Sequence, residues 1–118
     1  MQESPIFVRS YDLLKWLLQA TEHFPRGQRF VMAQRLQAVA FDFQDALVAA
    51  GRGSGDTRRR SLDAADYHLA RLRLYLRLSL DMRWLSMGQY EHVSRMVDEI
   101  GRLLGGWQRK ERESASPS

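Results

Sequence analysis

From Leu62 to Leu85 two rows of apolar side chains run along one helix-forming stretch, and two rows are more than one small bundle can bury. Leu62, Leu69, Leu76 and Leu80 recur at steps of seven, seven and four, while Tyr67, Leu74, Leu78 and Leu85 recur at seven, four and seven. At about 100° per residue the rows lie roughly 150° apart on the helix surface. One row suffices to face a monomeric core, so Tyr67, Leu74, Leu78 and Leu85 are expected to form an oligomer interface. Arg73 and Arg77 fall on the shoulder between the rows and Arg71 falls within the second, so the same helix presents cations.

The rest of the chain is patterned to match. A first helix is expected from Pro5 to Glu22, with Ser4 before Pro5 as its start signal and Phe7, Tyr11, Leu14 and Leu18 as its stripe. His23 to Gly27 breaks it, because Pro25 cannot continue the hydrogen-bond ladder. A second helix follows from Arg26 to Ala50, striped by Ala33, Leu36, Ala40, Phe43 and Leu47. Gly51 to Asp56 has the composition of a mobile loop, with Arg58, Arg59 and Arg60 beyond it. The two-rowed helix then spans Ser61 to Leu85. Ser86 and Gln89 have capping-box spacing at the head of a fourth helix, striped by Tyr90, Val93, Val97, Ile100, Leu104 and Trp107. Gly101 and Gly105, four apart, suit close approach of a neighbouring helix. No strand-type alternation occurs, so the expected fold is all-α, an antiparallel up-down-up-down four-helix bundle over residues 1–110. Residues 111–118 have the composition of a disordered polar tail.

A chain of 118 residues can bury a core without staples, and with no cysteine it has neither disulfides nor thiolate chemistry. No apolar run approaches the roughly 18 residues needed to span a bilayer and no signal peptide is visible, so a cytoplasmic protein without membrane association is expected. Catalytic signatures are missing too. There is no Glu-x-x-His of the di-iron bundles, no His-Glu-x-x-His, and no Lys-Ser/Thr after the glycine-rich stretch to complete a phosphate loop. Asp66 with His68, and Glu91 with His92, point to different sides of a helix and fit exposed or capping polar groups. The expectation is a protein that is no enzyme and holds no metal or cofactor.

What stands out is arginine, which supplies sixteen of the 18 basic residues against 14 acidic ones. Its planar fork of donors matches phosphate and stacks on bases, although arginine-rich codon usage is the plain alternative. Arg26, Arg29 and Arg35 at the second helix, Arg71, Arg73, Arg77 and Arg83 on the third, and Arg102 on the fourth are the candidate nucleic-acid contacts. Contact with six phosphates would give a log–log salt slope of about −4 for a single strand and about −5 for a duplex. Trp16, Trp84 and Trp107 fit packing anchors at helix seams better than stacking platforms. An adaptor that uses its arginines as inter-helix ion pairs is the rival reading.

The stretches Phe24-Pro25-Arg26-Gly27-Gln28-Arg29-Phe30, Leu72-Arg73, Leu85 to His92, and Glu99-Ile100-Gly101-Arg102-Leu103-Leu104-Gly105-Gly106-Trp107 resemble the accessory variability determinant proteins of diversity-generating retroelements. These are four-helix bundles related to the proteins of ribosomal RNA intervening sequences, and the likeness runs from about Tyr11 to Lys110. The resemblance implies a basic, barrel-shaped homopentamer that associates with the element's reverse transcriptase and its template RNA, and with DNA. Such proteins are required for the adenine-directed mutagenic copying that diversifies a target gene, and perform no chemistry themselves. Arg73 and Arg102 lie inside the matching blocks.

Overall fold

The computed structural model describes residues 4–27 and 29–115, with the side chain of Arg29 outside that description. Four α-helices follow one another: α1 (Pro5–Thr21), α2 (Gln34–Arg52), α3 (Gly55–Asp81) and α4 (Met87–Ala115). No strand occurs among the described residues. A short π-helical turn, Arg29–Ala33, leads into α2. Each helix packs against its chain neighbours, and α4 closes the square against α1, in a body of 55 × 27 × 22 Å. Cross-helix pairs show the antiparallel order. Arg73 of α3 faces Asp98 of α4 while the earlier Asp63 accepts a hydrogen bond from the later Gln108. Likewise Phe7 of α1 meets Trp107 and the later Trp16 meets the earlier His92.

The core follows the apolar stripes on α2 and α4. Leu36, Ala40, Phe43 and Leu47 are buried in the same core as Val93, Val97, Ile100 and Leu104. On α1 the buried row is Ile6, Ser10, Leu13, Leu17, Ala20 and Thr21, one residue before the expected Phe7, Tyr11, Leu14 and Leu18. Ile6-Phe7, Leu13-Leu14 and Leu17-Leu18 are apolar doublets, so periodicity alone leaves two registers open. The smaller row goes inward, and Thr21 donates to the Leu17 carbonyl at 2.8 Å while accepting from Gln37 of α2 at 2.9 Å. The three tryptophans are partly buried at helix seams, with Trp84 6.1 Å from Phe24 across the turn end of the bundle.

The boundaries move in four places. The second helix starts later than expected: Arg26 and Gly27 belong to a turn, Gly27 at φ 92°, before the π-helical segment. The expected loop Gly51 to Asp56 shrinks to Gly53 and Ser54, because α2 runs to Arg52 and α3 begins at Gly55. Arg58 closes this junction. Its Nε donates to the Ala50 carbonyl at 2.8 Å, Nη2 to the Gly53 carbonyl at 2.7 Å, and Nη1 meets Glu111 at 3.1 Å. A cation thus satisfies carbonyls left open at the C-terminus of α2. The tail differs as well: α4 continues through Gly105 and Gly106 to Ala115, and residues 116–118 lie outside the described residues.

The fourth change concerns Leu85. It was expected on the oligomer face, but it is 3 % exposed and part of the core. The seven-residue step from Leu78 holds only while the helix lasts, and α3 ends at Asp81. Arg83 then takes a left-handed conformation (φ 64°), the Trp84 and Leu85 amides donate to the Ser79 carbonyl, and the turn folds Leu85 inward. A left-handed non-glycine residue costs about 1 kcal/mol. Arg83→Gly is therefore expected to raise stability by about 1 kcal/mol in a urea titration. The capping box forms as its spacing predicts: the Ser86 amide donates to Gln89 at 2.9 Å and the Gln89 amide to Ser86 Oγ at 3.1 Å.

Candidate nucleic-acid interface

Helix α3 buries Leu62, Ala65, Leu69, Leu72 and Leu76, so the inward row is wider than the one seam expected. The remaining members of the second seam lie on the far side of the cylinder. Tyr67 and Leu74 are each 63 % exposed and Leu78 is 42 % exposed. They form an apolar strip facing away from the core, with exposed Ala70 between them.

The arginines beside this strip are tethered. Arg71 leans toward α2, 3.5 Å from Asp42 and 3.0 Å from Nδ1 of His68, with its guanidinium over the Tyr67 ring. Arg73 leans toward α4, 3.6 Å from Asp98, and Arg77 pairs with Asp81 at 3.3 Å. Arg73 also explains Gly101, where an added Cβ would stand 2.7 Å from Nη2 of Arg73. The approach at Gly101 is thus to the flexible end of an α3 side chain, with Leu69 at an ordinary 3.7 Å, whereas at Gly105 only Arg109 of the same helix comes within 4 Å. These exposed pairs contribute roughly 0.2–1 kcal/mol each and leave much of the cationic field in place.

The other candidates do not gather on one face. Arg35 lies over the Tyr75 ring at 5.8 Å, in the α2–α3 seam. Arg26 and Arg83 are exposed at the turn end of the bundle, where Phe24 and Trp84 meet, and Arg29 lies in the π-helical turn there. Arg102 is exposed on the outer face of α4.

Two cationic groups come together that the sequence spacing showed only in part, through Arg102 in the first and Arg58 to Arg60 in the second. Arg95, Arg102 and Arg109 are all exposed on α4 at seven-residue intervals, a straight row with steps of about 10 Å, and none has an ion-pair partner among the described residues. The seven-residue spacing of Arg95 and Arg109 about Arg102 carries that signal in the sequence. The second group is at the end of the bundle away from the turns. There Arg58, Arg59 and Arg60 of the α2–α3 junction come near Arg109, Lys110 and Arg112 of α4, interspersed with Asp56, which pairs with Arg59, and with Asp63, Glu111 and Glu113. Only the antiparallel arrangement joins these segments, because some fifty residues separate them in the chain.

His68 and His92 are engaged locally, with Arg71 and the Trp16 ring respectively. Among the described residues no group of three or more histidine or acidic side chains could hold a metal ion, and no helix is long and apolar enough to cross a membrane.

No curated protein is similar enough to the chain to count as a relative. The family model described as bAvd-like matches residues 6–111, which takes in α2 and α3 whole, α1 from its second residue, α4 up to its last turn, and both cationic groups apart from Arg112. The fourfold helical bundle and the matched span agree with the resemblance carried by the sequence blocks, and the chain belongs to the bAvd-like family, whose members point to an accessory role in diversity-generating retroelements.

Proposed function

We propose that this protein is the non-enzymatic accessory factor of a diversity-generating retroelement, a cytoplasmic homopentamer that binds the reverse transcriptase together with template RNA and the DNA copied from it. The observation that carries the reading, beyond family membership, is the uncovered apolar strip of α3 on a strongly basic chain. Large apolar side chains held outward in a row mark an interaction surface.

A closed ring needs two unlike faces, because a head-to-tail contact joins one patch to a different one. The second face is the outer groove between α1 and α2. Tyr11, Phe41 and Val48 are exposed there, and half-buried Leu14 and Leu18 lie along it. Asp45 is also exposed on that side of α2, opposite in sign to the arginines bordering the α3 strip. Repeating the Arg95–Arg102–Arg109 row in each subunit multiplies weak phosphate contacts into avidity.

RNA affinity measured against salt tests the nucleic-acid part. A single strand is expected to give a log–log slope near −4 for about six phosphate contacts, and Arg95→Glu with Arg102→Glu should flatten it by about 1 to 2. The adaptor reading draws on the pairing of Arg71, Arg73 and Arg77 with Asp42, Asp98 and Asp81. It expects negligible RNA binding at any salt concentration.

A further inference from the structure

At the end of the bundle away from the turns, the start of α1, the α2–α3 junction and the last turns of α4 line an open cavity of about 750 Å³. That volume is in the range of small-ligand sites. Its apolar wall includes Phe7 and Trp107, edge to face at 5.9 Å, with Trp107 only partly buried. Its rim carries Arg109 and Lys110, both exposed and without an ion-pair partner among the described residues, and one exposed carboxylate, Glu113. Arg58, fixed by two carbonyls and Glu111, holds its guanidinium 5.9 Å from the centre of the Trp107 ring.

Gly106 forms the lip. A glycine inside a 29-residue helix is a weak helix former, yet packing does not require this one. An added Cβ would meet only Nη2 of Arg109, at 3.8 Å. Gly106 thus lines the cavity beside Trp107 without a side chain to occupy it. The arginine row on the outer face of α4 arrives at this lip, since Arg109 is both its last member and part of the cavity rim.

We infer that this cavity takes an unpaired nucleotide of a single-stranded nucleic acid, its base against Trp107 and Phe7 and its phosphate at Arg109 and Lys110, while the preceding phosphates follow Arg102 and Arg95. The inference rests on the nucleic-acid reading above and adds a strand preference to it. A base in a duplex is paired and stacked and cannot enter, whereas any unpaired base offers a face to an aromatic ring. The site therefore discriminates single strand from duplex without reading sequence.

Gly106→Leu fills the cavity from its lip and is a better helix residue, so the fold is retained. Fluorescence anisotropy with a ten-nucleotide mixed-sequence RNA, single-stranded or as a blunt duplex, gives the readout. The single strand should bind the variant about tenfold more weakly while the duplex is unaffected. Equal single-strand affinity for wild type and variant overturns the proposal. If the wild type binds neither probe, the nucleic-acid function fails on its own. Uridine monophosphate followed at the Trp107 indole N–H by NMR then decides the cavity separately. A shift in wild type that Gly106→Leu abolishes supports the site, and an unmoved Trp107 resonance removes it.

Discussion

Leu74→Glu should convert the assembly into folded single subunits. The side chain is 63 % exposed on the isolated bundle, so a charge there meets water and the monomer keeps its core. In the proposed ring the same charge would be buried against the neighbouring α1–α2 groove, where the lost apolar contact and the unpaired carboxylate each cost a few kcal/mol. A combined loss of about 4 kcal/mol weakens association roughly a thousandfold. Light scattering should show the mass fall to one 13.7 kDa chain with the helical circular dichroism retained. Phe41→Glu, on the opposite face, should have the same effect. Mixing the two variants is the sharper measurement, because each supplies the face the other lacks, and one-to-one pairs are expected. Full assembly of the Phe41→Glu protein, with no mixed pairs, would show that α3 docks on α3 and would sink the unlike-face ring.

Two residues earlier, Leu72→Ala should act on folding instead. Leu72 is completely buried among the core side chains of α3, so truncation removes apolar contacts and leaves a cavity. Such changes cost about 2–5 kcal/mol, a large part of a stability of roughly 5–15 kcal/mol for a domain of this kind. A fall in Tm on the order of 10 °C is expected by calorimetry, independent of protein concentration. Leu74→Ala should instead give a loss that grows on dilution, because its contribution is made only in the assembly. A concentration-dependent loss for Leu72→Ala would contradict its placement in the core.

Sequence periodicity was strongest where each helix has an unambiguous stripe. Leu36, Ala40, Phe43 and Leu47 on α2, and Val93, Val97, Ile100 and Leu104 on α4, are buried as their spacing requires. The outward position of Tyr67, Leu74 and Leu78 was equally legible, since no rotation of α3 buries them together with Leu62, Leu69 and Leu76. Doublets defeated the same reasoning on α1: where Leu13-Leu14 and Leu17-Leu18 offer two stripes, the neighbouring helices choose the register. Leu85 failed for another reason, because heptad arithmetic carries no information past the end of a helix.

The candidate site was less legible than the fold. Arg71, Arg73 and Arg77 are conspicuous on α3, yet their acidic partners lie on α2, α4 and the next turn, and only packing brings Asp42 and Asp98 within reach. Arg95 and Arg109 were hidden in plain spacing. The cavity beside Trp107 was out of reach altogether, since its walls come from residues near positions 7, 58 and 107.

Taken alone, the amino-acid sequence determined an all-helical bundle, an outward apolar strip on its third helix, an arginine-dominated charge and the family likeness. Those properties follow from local periodicity and residue chemistry, which act within a few turns of chain. Tertiary structure decided the inward face of α1, the fate of Leu85, the tethering of Arg71 to α2 and of Arg73 to α4, and the meeting of aromatic rings with cations at the far end. Each of these depends on contacts between distant segments, whose geometry is set by how four helices share one core.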